Sequence, residues 1–187
     1  MDNLSSRSEY ADILPLTANF VLENAQLTWP EIAWGHGMGL VGWHALNELA
    51  QAALRLAPNR EDENLLRLAH ITKEDATVAG EFARAAAATG PKLDETTARK
   101  KWAYLLLKRL YEKKTEVADP LGLVEHIYAD FDYPEELEGF VRWMPATEPV
   151  SSPEEAAVTM DQKWQRYLAN SAAQFGGGES GTEHSFY

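Results

Sequence analysis

Cysteine is absent from the 187 residues, which excludes a disulfide frame, a thiol nucleophile and a Cys-ligated zinc, and fits a reducing compartment. Long apolar runs are lacking too. The densest, AYLLL at 103–107, is far short of the roughly 18 apolar residues a membrane span requires, so no membrane association is expected. The opening MDNLSSRSEYADILPL carries no basic stretch leading into an apolar run, so it does not read as a secretory signal, and a cytoplasmic location is expected. Positive charge is scarce: 17 Lys and Arg stand against 29 Asp and Glu, for a net charge of −12. A nucleic-acid-binding face needs the opposite balance, so nucleic acid is not expected as a partner, whereas a basic protein is the natural complement.

The motifs of common chemistries are missing as well. No HExxH, GxSxG, Walker loop or EF-hand pattern occurs, and GHGMG at 35–39 lacks the spacing of a nucleotide loop. A helical dimetal site would place a Glu three residues ahead of a His. Before His36, His44, His70, His126 and His184 that offset holds Ala33, Val41, Arg67, Leu123 and Gly181. No cofactor and no metal is expected, and the chain does not read as an enzyme. Alternating runs of β-branched residues are absent too, which removes the usual signal for strands.

What remains is helical punctuation. Apolar residues recur at spacings of three and four over Leu14–Asn24 and over 41–57, the latter through Trp43, Leu46, Leu49, Ala50, Ala53 and Leu56. Thr28 with Glu31 in TWPE is a capping box with Pro30 in the first turn. A short helix is expected at Glu63–His70, another at Glu74–Ala88 recapped by Thr72 and Asp75, and a long one from Asp94 to about Lys114. The last is apolar around most of its circumference at WAYLLLKRLY and is expected to be the central, longest element. Asp119-Pro120 opens a helix over 121–129, Pro134 restarts one that Pro145 ends, and Ser152-Pro-Glu-Glu launches the last, to about Gln174. The spacing thus predicts an all-α fold, a single domain of about eight helices over 1–175, followed by a flexible tail, GGGESGTEHSFY, at 176–187.

Charge is divided unevenly along the chain. Residues 1–114 hold 15 acids and 14 bases, and residues 115–187 hold 14 acids and 3 bases. Eight of the bases lie between Lys92 and Lys114, where flanking a buried span and pairing with nearby acids would account for them. The acid is densest in YADFDYPEELEGFVRWMP, residues 128–145, with Asp130, Asp132, Glu135, Glu136 and Glu138 and no base among them. Helix capping explains part of this: Asp132 precedes the expected helix, and Glu135 and Glu136 lie in its first turn, where the dipole favours negative charge. Asp130 closes the preceding helix, where the dipole disfavours it, so its charge wants a further reason: Arg142, a base of the central helix, or a partner. His126 and Asp130, four apart, with Asp132 close by, are the alternative: a small metal-binding or catalytic set. Of the tryptophans, Trp29, Trp34 and Trp43 have the spacing of core residues, while Trp143, beside Arg142 at a helix end, has the character of an interface anchor.

TWPEIAWGHGMGLV, and KKWAYLLLKRLYE followed by DPLGLVEHIYADFDYPEELEGFVRWMP, resemble a bacterial domain-of-unknown-function family of small acidic helical proteins with a YADFDYPEE…FVRYMP signature. The resemblance spans roughly residues 14–170, and this chain departs from it with Trp143 where Tyr is usual and at Gly42-Trp43. Family members are similar in size and acidity to immunity proteins. That likeness implies a cytoplasmic protein binding a cognate toxin, such as a nuclease with a basic site. The residues expected to carry the contact are Asp130, Asp132, Tyr133, Glu135, Glu136, Glu138, Arg142 and Trp143. A non-catalytic scaffold protein is the remaining alternative.

Overall fold

A computed structural model describes residues 4, 8–58, 61–142 and 152–176. Among them the secondary structure is helical, save for one isolated parallel bridge between Leu16 and Val41. The fold is all-α and forms one compact domain. Its α-helices are α1 (Ala18–Asn24), α2 (Trp29–Gly37), α3 (Trp43–Leu56), α4 (Glu63–Ala69), α5 (Ala79–Ala88), α6 (Glu95–Glu112), α7 (Pro120–Asp130) and α8 (Pro153–Phe175). Short 3-10 segments lie at Ser8–Tyr10, Ala76–Val78 and Glu135–Phe140.

The starts follow the caps legible in the sequence. Glu31 accepts the Thr28 N–H at 2.7 Å, Asp94 accepts from Thr96 and Thr97 at 3.1 and 3.4 Å, Asp119 from Gly122 at 3.0 Å, and Ser152 from Glu155 at 3.1 Å. Helix α1 begins at Ala18 rather than Leu14, because Thr17 supplies the cap and Pro15 precedes it. The expected 74–88 helix likewise opens as a 3-10 turn and becomes α-helical only at Ala79.

Helix α6 is the hub. Ala98, Trp102 to Leu107 and Leu110 are all buried, and α2, α7 and α8 pack against it, while α3, α4 and α5 form a second group resting on α2. Central it is, but α8 is longer, with 23 residues against 18. Trp29, Trp102 and Trp164 are buried, and Trp34 and Trp43 pack against the core with part of their surface exposed. At Gly35, α2 comes so close to α6 that a Cβ there would stand 2.2 Å from Trp102 Cζ2. The Trp102 indole N–H donates to the Glu31 carbonyl at 2.9 Å, and Lys101 pairs with the buried Glu31 carboxylate at 2.7 Å.

The helix expected to start at Pro134 does not form. Its place is taken by six residues of 3-10 helix, where the like charges of Glu135 and Glu138 three positions apart and the low helix propensity of Gly139 disfavour an α-turn. Trp143 and Pro145 lie outside the described residues, as does the expected tail beyond Gly176.

Candidate functional site

Helix α7 ends at Asp130, and the chain then turns sharply. Asp132 and Tyr133 both take left-handed backbone angles, with φ of 64° and 57°. The Tyr133 N–H reaches back to the Tyr128 carbonyl at 2.9 Å, satisfying a terminal acceptor of the helix. Two successive residues with side chains in this region cost on the order of 1–2 kcal/mol each, since glycine alone adopts it freely. Pro134 then directs the backbone into Glu135–Phe140, whose Leu137 and Phe140 are buried; the Phe140 ring stacks on Trp164 of α8 at 5.8 Å. With those two anchors inward, Glu135, Glu136 and Glu138 face solvent.

The result is an exposed aromatic ring, Tyr133, among carboxylates. Tyr133 is 58% exposed, an unusual figure for a large side chain here. Its ring is steadied edge-on by the buried Tyr128 at 5.2 Å, and Tyr128 also bonds to Glu138. Burial, reinforced by Glu138, raises the Tyr128 pKa and keeps the phenol protonated.

The acid is not all presented outward. Asp130 accepts a 2.6 Å hydrogen bond from the Tyr10 hydroxyl, tying α7 to the 3-10 segment at Ser8–Tyr10. Asp132 pairs with Arg99 at 2.8 Å and Glu136 with Lys100 at 2.5 Å, both bases on the first turns of α6. Arg142 does not reach Asp130. Its guanidinium holds Glu125 at 2.9 Å and Asp119 at 3.1 Å, which makes it a clasp on α7; those bonds, Glu125's first, drive its pKa further up. Glu136 in turn is held below the usual carboxylate value by its bond from Lys100. The middle helix thus supplies counter-charge that a foreign partner was expected to supply. Even so, the Asp132 and Glu136 side chains remain 74% and 46% exposed.

The alternative set of His126, Asp130 and Asp132 is not assembled. His126 lies 4.0 Å from Glu9, Asp130 is engaged by Tyr10 and Asp132 by Arg99. Among the described residues no three His, Asp or Glu side chains converge as metal ligands. The other described histidines serve structure: His36 and His70 bond the carbonyls of Val41 and Leu66 at 2.9 and 2.8 Å, and His44 stacks on Trp43.

Beneath the Asp132–Leu137 turn lies a cavity of about 330 Å³, bounded by the start of α6 and the end of α8. Arg99, Lys100, Tyr167, Ser171 and Phe175 line it, and none of these was singled out from the sequence. A base run and an acid run 30 residues apart were the available signal, but nothing in the chain says that they face each other.

A family model described as uncharacterised protein conserved in bacteria, DUF2247, matches residues 18–172. The chain belongs to this family. The match takes in α2, α6, α7 and the acidic turn, the segments that carry its resemblance, while Tyr10 and Phe175 lie just outside it. No curated protein matches the chain, and no solved structure does. No helix among the described residues is long and apolar enough to cross a membrane.

Proposed function

We propose that the chain is an immunity-type protein that acts in the cytoplasm without chemistry of its own, binding and neutralising a cognate bacterial toxin through its acidic, aromatic-rimmed turn. The observation that carries this reading is Tyr133: a large aromatic ring, 58% exposed, on a left-handed residue, flanked by solvent-facing Asp132, Glu135 and Glu138. Backbone strain retained at a largely exposed aromatic is a mark of a contact residue, because its edge-on contact with Tyr128 returns only a part of that cost. Carboxylates around such an anchor steer a basic partner and exclude acidic ones, and a toxin whose site binds phosphates presents the matching charge.

The pairings found above narrow the surface. Asp130 and Arg142 hold the scaffold, Asp132 and Glu136 are shared with α6, and Tyr133, Glu135 and Glu138 form the contact. The test captures a partner by pull-down from the native bacterium and co-expresses that protein with the chain or with its Tyr133→Asn, Glu135→Lys, Glu138→Lys variant. Asparagine keeps a left-handed turn accessible, so folding is expected to be preserved. The expected outcome is that the unaltered protein protects growth and the triple variant does not, with unchanged thermal unfolding. Full protection by a folded triple variant would overturn the proposal.

A further inference from the structure

The cavity beneath the turn has two walls of opposite charge. Arg99 and Lys100 project from one turn of α6, Asp132 and Glu136 from the facing loop, and the pairs close across the mouth at 2.8 and 2.5 Å. Between them the floor is apolar, formed by Phe131, Leu137 and Phe175, all buried. On the α8 side the buried Ser171 hydroxyl bonds with Tyr167, whose burial pushes its pKa up, so both groups are neutral polar contacts. A volume of about 330 Å³ is at the small end of metabolite sites, which begin near roughly 300 Å³.

We infer that this cavity binds a small zwitterion with an apolar side chain, a free α-amino acid of the aromatic or large aliphatic kind. The argument is one of charge balance. A ligand bearing only an anion would meet the carboxylates of Asp132 and Glu136 as like charges, and one bearing only a cation would meet Arg99 and Lys100 so; Arg99 also holds Glu95 at 2.8 Å, which keeps the α6 wall positive whichever ligand enters. A zwitterion sets its carboxylate against the α6 wall and its ammonium against the loop wall, so every charge keeps a partner while the side chain covers the apolar floor. Arg99 is the inner cation, with its side chain only 16% exposed and lying over the Trp34 ring, whereas Lys100 and Glu136, each 46% exposed, form the rim.

This inference does not depend on the toxin-binding reading: Tyr133, Glu135 and Glu138 are not among the cavity's lining residues. The probe is L-phenylalanine titrated into the isotope-labelled full chain and followed by amide resonances. Phenylacetate and phenethylamine serve as its single-charge analogues, and glycine as the zwitterion without an apolar part. Saturable shifts centred on residues 99, 100, 131, 171 and 175 are expected, with affinity for L-phenylalanine at least tenfold above that for the three controls. Reversing one bridge with Lys100→Glu and Glu136→Lys retains a salt link but places unlike charges side by side on each wall. It is expected to weaken binding at least tenfold while the spectrum stays folded, and Tyr133→Asn is expected to leave binding unchanged. Absence of saturable shifts with both L-phenylalanine and L-leucine, or equal binding of phenylacetate, would overturn the inference.

Discussion

Gly35 and Glu136 illustrate two ways in which one side chain, or its absence, is held to account by its neighbours. A methyl group at Gly35 would collide with a tryptophan that is itself buried and tethered through its indole N–H, so it cannot be relieved by a simple rotamer change. Gly35→Ala is expected to destabilise the fold by about 1–3 kcal/mol through overpacking, as measured by urea unfolding. Glu136 makes a pH argument. Its carboxyl is held below its ordinary value of 4.5 in the folded chain by Lys100, so at acid pH the unfolded chain binds the proton more readily than the folded one. Its contribution is therefore complete above the ordinary value and is lost as pH falls below it, through the depressed folded value. Glu136→Gln is expected to flatten the dependence of the melting temperature on pH between about 5 and 3, and to lower it at neutral pH by no more than a few degrees, since an exposed pair contributes roughly 0–1 kcal/mol.

Helix α7 and the turn after it form the element on which the functional reading rests. Asp119 both caps the helix, accepting the Gly122 N–H at 3.0 Å, and holds Arg142 at 3.1 Å from the far side of the turn. The Gly122 bond, with Arg142 assisting, depresses its pKa. Asp119→Ala removes a cap worth about 1 kcal/mol and frees one side of the clasp. It is expected to lower stability by that amount, read by urea unfolding, and to raise amide hydrogen exchange over 119–142 more than over α3. The capping half of this was legible, because Asp-Pro at a helix start has a local cause. The clasp was not. Arg142 is one of three reasons the sequence offers for the charge of Asp130, yet the turn at Asp132 and Tyr133 carries the chain back along α7 so that Arg142 meets Asp119 and Glu125 instead. A left-handed pair made of aspartate and tyrosine leaves no glycine to announce it, and a helix was expected where a 3-10 segment forms.

For the molecule as a whole, the dominant quantity is the net charge of −12, which acts on any partner from beyond contact distance. If the acidic turn docks a basic toxin, the association rate is expected to fall at least tenfold between about 50 and 500 mM salt while dissociation changes little, because screening removes long-range steering and leaves the contacts at Tyr133. Stopped-flow mixing at several ionic strengths separates the two rates. A salt-independent association rate would place the contact elsewhere.

The sequence by itself determined the helical class, the central place of α6 and most helix starts, since periodicity and capping are properties of neighbours in the chain. It also determined the family, whose model matches residues 18–172. The tertiary structure decided where that charge goes. Arg99 meets Asp132 and Lys100 meets Glu136 only because α7 and the turn fold back over the start of α6. Electrostatic energy depends on distance in space, and residues over 30 positions apart acquire a distance only when the core has packed.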